Sequence, residues 1–198
     1  MNSLSSSLLL VSLVAAYGEV RSVTIGVDVN SPYGISEPWV MIREGLLRLD
    51  DIESVSPQAD RKTATGELRT KNGRVPDVDA LAKGLREIGA GASLRGVEAT
   101  IDGRLEKRDG QFLFRLTKTD EVLLLEPATQ RIQLQPRRKS PEPLTETEQK
   151  AFQNLSAKWQ GTPLDVRITG PITKRSGKTV LAVRHFDFQA DTARETIK

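Results

Sequence analysis

The chain has no cysteine and a single histidine, His185, among 198 residues. The first absence excludes disulfides, thiolate metal sites, a cysteine nucleophile and lipid attachment to an N-terminal cysteine. The second excludes a metal cage built from imidazoles alone, which needs several. No Gly-x-Ser-x-Gly, P-loop or dinucleotide-binding glycine pattern occurs. Asp187 stands two residues from His185, on the same face of a strand, but no serine partner can be assigned to complete a nucleophilic triad. The carboxylate pairs Asp50-Asp51 and Asp120-Glu121 read as turns rather than as walls of a cleft. The expectation is a chain that is not an enzyme, with no catalytic residue, no cofactor and no metal ligand set.

Long apolar runs are also missing. The longest, Leu8 to Ala16, has nine residues, too few for about 30 Å of hydrocarbon, which takes roughly 20. It suits the core of a signal peptide. Met1 to Gly18 carries no charged side chain and ends in Ala16-Tyr17-Gly18, which puts small residues at the minus-three and minus-one positions of a cleavage site after Gly18. The reading is a leader over residues 1–18, a mature chain with no transmembrane segment, and export to a periplasm or the outside of the cell.

What remains is charged and divides in two. Lys and Arg number 29 against 26 Asp and Glu. Residues 19–99 hold 11 basic and 13 acidic side chains, and residues 100–198 hold 18 and 13. In the first part, Val23, Ile25, Val27 and Val29 alternate as on a half-buried strand. Trp39, Ile42, Leu46 and Leu49 mark one face of a helix. Ile52 to Ser56 and Lys62 to Leu68 read as strands, and Lys71-Asn72-Gly73 as a turn. Asp77 reads as an N-cap for a second helix with Val78, Leu81, Leu85 and Ile88 on one face, stopped by Gly89. Leu94 to Ala99 begins another strand.

In the second part, Val97 to Glu106 alternates as a long strand, and Arg108-Asp109-Gly110 is a hairpin turn. Phe112, Phe114 and Leu116 define one face of the next strand, and Val122 to Leu125 is a short buried one. Pro136 to Pro143, with Arg137-Arg138-Lys139, resembles a linker. Thr145 and Glu148 form a capping-box pattern ahead of a helix bearing Phe152, Leu155 and Trp159. Two strands follow. The last, Thr179 to Phe188, is apolar on both faces, which calls for a bulge or two-sided burial.

Ile42 to Val55, Lys62 to Leu68 and Val78 to Gly89 together resemble the heavy-metal-associated domain family over residues 22–99. The weaker pattern of residues 97–188, three strands, a helix and two strands, resembles OB-fold domains. Together they imply an α+β chain: a ferredoxin-like βαββαβ domain over 19–96, a small OB-fold-like β-barrel over 97–188 and a tail over 189–198. In the first family the loop before the first helix carries Met-x-Cys-x-x-Cys, whose sulfurs hold a soft cation. Tyr33, Ile35 and Pro38 stand at those three positions here, so the resemblance implies the fold and withholds the thiolate chemistry. Oxygen ligands from Asp28, Asn30, Tyr33 and Glu37 are the alternative for a hard cation.

Two sites are therefore candidates. The loop with Tyr33, Ile35, Glu37 and Trp39 is apolar where a metal loop is expected, which fits core packing or a protein partner. Phe112, Phe114 and Arg115 are the stacking and cationic residues that an OB-fold face for oligosaccharide or nucleic acid requires, although Phe112 and Phe114 share a face with Leu116, as core residues do. An exported chain has little access to nucleic acid. The expectation is an exported, non-enzymatic binding or interaction protein with a protein partner. The alternatives are a metal-homeostasis accessory protein and an OB-fold binder of oligosaccharide or nucleic acid.

Overall fold

The computed structural model describes residues 19–29, 36–57, 64–88, 91–132 and 141–189. The expected leader, Asn30, Tyr33, Ile35, Lys62, Gly89, Arg137 to Lys139 and all but the first residue of the tail lie outside them. The order is β1 (Val20–Val29), α1 (Ser36–Leu46), β2 (Ile52–Pro57), β3 (Thr65–Thr70), a 3-10 turn (Lys71–Gly73), α2 (Val78–Glu87), β4 (Ala92–Arg108), β5 (Gln111–Arg115), β6 (Val122–Pro127), α3 (Glu146–Ala157), β7 (Leu164–Arg175), β8 (Lys178–Val183) and β9 (His185–Phe188).

Local chemistry accounts for the element ends. Asp77 caps α2, its carboxylate accepting from the N–H groups of Asp79 at 2.9 Å and Ala80 at 3.2 Å. At α3 the Thr145 hydroxyl accepts from the Glu148 N–H, and the Glu148 carboxylate accepts from the Thr145 N–H, a closed capping box. Asp109-Gly110 and Ser176-Gly177 both take positive φ at two successive residues, the geometry of tight hairpin turns.

The nine strands form one hydrogen-bonded sheet in the order β2-β3-β1-β4-β5-β6-β8-β7-β9, with β4 also paired to β7. All pairs are antiparallel except β6 with β8. This corrects the expected α+β arrangement of a ferredoxin-like βαββαβ domain followed by a small OB-fold-like barrel. The described residues form one large mixed sheet with three α-helices. The cause is β4. Over 17 residues it never breaks, and Val97 to Ile101 pair with β1 on one edge and β7 on the other. The sheet continues across the point where two units were expected to meet, and the 96/97 division falls inside a strand.

The apolar side is continuous as well. Val23, Ile25, Ile42, Leu46 and Leu85 belong to the same buried cluster as Ile101, Phe114, Leu155, Val166 and Ile168. The strand expected over Thr179 to Phe188 is broken at Arg184, whose N–H donates to the Thr169 carbonyl at 3.1 Å. Close approach at this break explains Gly170: a Cβ there would lie 1.7 Å from the Ala182 carbonyl oxygen.

Candidate functional site

Helix α1 is apolar on two sides. Trp39, Ile42 and Leu46 face the sheet at 5%, 0% and 0% exposure. Val40, Met41 and Leu47, at the helix and its C-terminal edge, are 61%, 46% and 38% exposed. Arg43, Glu44 and Arg48 lie among them on the surface. Side chains of this size are buried by default when a core is within reach. Here the core already holds the opposite face of the helix.

Of the candidate loop, Tyr33, Ile35 and the Glu37 side chain lie outside the described residues. Trp39 is described, and it is part of the core. Its ring lies against Gly66, where a Cβ would stand 2.8 Å from it. Its indole Nε1 is buried without a hydrogen-bond partner among the described residues. Asp28, from the alternative hard-cation set, pairs with Arg95 at 3.2 Å. Among the described residues, no group of three His, Cys, Asp or Glu side chains is placed to hold a metal ion.

The three residues of the second candidate face part company. Phe114 is fully buried. Phe112 is half-buried and meets the edges of Phe152 and Trp159 at ring-centroid distances of 5.9 and 6.2 Å, with Lys107 Nζ 4.9 Å from its centroid. Arg115 projects to the other side of the strand, where its Nε donates to Glu106 Oε1 at 3.0 Å. That other side carries a groove of about 510 Å³ between the Asp109-Gly110 and Ser176-Gly177 turns, with Leu113, Val122 and Leu124 along it and Arg108 and Lys178 at its ends.

The side of β4 and β7 that carries Asp102, Arg104 and Arg167 is built from arginine–carboxylate pairs. Asp102 accepts from Arg21 Nε at 2.5 Å and from Arg167 Nε at 2.7 Å. Burial raises the Asp102 pKa, but the hydrogen bonds from Arg167 and Arg21 outweigh it and hold the carboxyl below its ordinary range. Arg104 Nε donates to Asp165 at 2.9 Å. Arg184 donates to Glu98 and, at 2.6 Å, to Glu148. Between these pairs runs a row of registered neighbours, Ser22, Thr100, Thr169 and His185. His185 Nε2 lies 3.1 Å from Asp187 Oδ2, and Thr169 Oγ1 is 2.9 Å from Thr100 Oγ1.

The sequence reading missed Val40, Met41 and Leu47. The signal was present: Val40 and Leu47 are seven residues apart, and all three fall off the Trp39, Ile42 and Leu46 stripe. No family model matches the chain, and no curated protein matches it in sequence. No helix among the described residues is long and apolar enough to cross a membrane.

Proposed function

We propose that this chain is an exported, non-enzymatic interaction protein that meets a protein partner through the outer face of α1 and the loop that precedes it. The observation that carries the reading is the exposure of Val40 and Met41 on a helix whose opposite face is already buried, and of Leu47 just past its end. Exposed apolar side chains that gather into one patch are the usual mark of a surface for a protein partner. The export half of the reading is supported by the apolar run from Leu8 to Ala16 and the small residues ahead of Glu19.

The test is a photo-crosslinking residue at Val40 in the exporting host, with the same residue at exposed Glu53 as control. The expected result is a discrete adduct from Val40 alone, lost when Leu47→Asp is added. Matching patterns from both positions would overturn the reading.

A second reading rests on the groove between the two hairpin turns. Leu113, Val122 and Leu124 line it with cations at its ends, a composition suited to a small ligand with an apolar face, such as an oligosaccharide. Among the described residues no aromatic side chain lines it, and single-stranded nucleic acid needs such side chains for base stacking. Glycan titration followed through Leu113 and Leu124 methyl resonances tests it, and unchanged resonances would remove it.

A further inference from the structure

Glu19 precedes β1 and is already fastened. It is 4% exposed. Its carbonyl accepts from the Asp102 N–H at 2.6 Å. Its carboxylate oxygen Oε1 accepts from the Thr117 hydroxyl at 2.7 Å and from the Lys118 N–H. The other oxygen, Oε2, is buried with no hydrogen-bond partner among the described residues. A carboxylate oxygen enclosed without a donor is costly, and buried charges persist when they are paired. The backbone nitrogen of the same residue lies beside the Lys71–Gly73 turn, where a Cβ at Gly73 would stand 3.7 Å from it.

The sequence places small residues at the two positions that define a cleavage site between Gly18 and Glu19. Hydrolysis of that peptide bond adds one water. The Gly18 carbonyl becomes the carboxylate of the departing leader, and the Glu19 nitrogen becomes a protonated amine. We propose that this cleavage creates the missing partner of Glu19 Oε2: the new α-ammonium pairs with the carboxylate of its own residue, between the Lys71–Gly73 turn and the Thr117-Lys118 turn. Nitrogen and carboxylate belong to the same residue, which keeps them close while Oε1 stays bonded to Thr117 and Lys118. Maturation then adds a charge pair to an end that Thr117 and Lys118 already hold to the turn after β5. The proposal rests on the export reading above and adds a structural use for the end that export leaves behind.

The test has two arms. The first is the intact mass of the chain recovered from the exporting host. A mass for residues 19–198 is expected, and any other amino terminus overturns both the export-processing reading and this proposal. The second compares the melting midpoint of that processed chain with its amino terminus free or acetylated. Acetylation should lower the midpoint by about 2–4 °C, the shift a modest interaction produces in a chain of this size. In Glu19→Gln the difference should vanish. Equal midpoints for the free and acetylated wild-type chain, at the correct mass, would overturn the pairing and leave the export reading standing. That comparison needs no substitution, so it holds even where Glu19→Gln does not fold.

Discussion

Arg184 Nη1 donates to Glu148 Oε1 at 2.6 Å, tying the break between β8 and β9 to the first turn of α3. Arg131 donates to the same carboxylate from the other side at 2.9 Å. Burial pushes the Glu148 carboxyl up, but Arg184, the Thr145 N–H and Arg131 together pull it down from 4.5 to about 2. A carboxyl whose folded pKa is depressed adds stability that is complete above its unfolded value and is lost as the pH falls through the folded one. Urea unfolding should therefore weaken between pH 4.5 and about 2. In Glu148→Gln that part of the slope should disappear.

Thr145→Ala tests the cap that holds this carboxylate in place. The substitution removes the acceptor for the Glu148 N–H and a hydroxyl donor to Glu148 Oε2. The expected loss is about 1 kcal/mol, read as a lower urea midpoint with an unchanged slope. No loss would mean that the arginines and the backbone N–H at position 145 hold Glu148 without the hydroxyl.

Gly170→Ala should be among the most damaging small changes in the chain. The added methyl would meet the Ala182 carbonyl oxygen, a backbone atom that cannot swing aside. Overpacking of this kind costs about 1–3 kcal/mol and sometimes more. The β7–β8 ladder should show it first, as faster amide exchange at Ile172 and Leu181, which are registered partners.

Phe114→Ala and Phe112→Ala separate core from cover. Phe114 is fully buried, so its truncation should cost about 3–5 kcal/mol. Phe112 is half-buried and makes edge contacts with Phe152 and Trp159, so its loss should be smaller, with the ring contacts themselves worth about 0.5–1.5 kcal/mol each. Equal costs, measured by denaturant unfolding, would show that the two positions are not packed differently.

Much of the local structure was legible in the sequence. The 3, 4, 3 spacing from Trp39 and from Val78 located α1 and α2, and the Thr145–Glu148 pattern located the start of α3, because helix periodicity and caps are short-range properties. The double apolar character of Thr179 to Phe188 called for a bulge or two-sided burial in one strand, and the segment instead divides at Arg184 into β8 and β9. The single continuous sheet was not legible. Alternation in Val97 to Leu105 fixes which side chains face the core, but it carries no signal for which strand lies on each edge. The pairing of Val97 to Ile101 with both β1 and β7 joins residues far apart in the chain.

The sites divide in the same way. Phe112 and Phe114 were placed on one face, as they are, but the sequence could not say that α3 would cover one and the core enclose the other. Asp102 and Arg167 are 65 positions apart, and no local pattern announces their pairing. Val40, Met41 and Leu47 could have been found by asking which apolar residues of the first helix fall outside its main stripe.

The shared strand also sets how this molecule comes apart. Because β4 is bonded to β1, β5 and β7 at once, neither half can open without stripping hydrogen bonds from the other. Unfolding should be one cooperative event, and the amides of Val97 to Ile101 should exchange with solvent only through it. A chain cut at residue 96 would have to rebuild two sheet edges from one strand, so the two halves should not survive as independent pieces, however separate their compositions look.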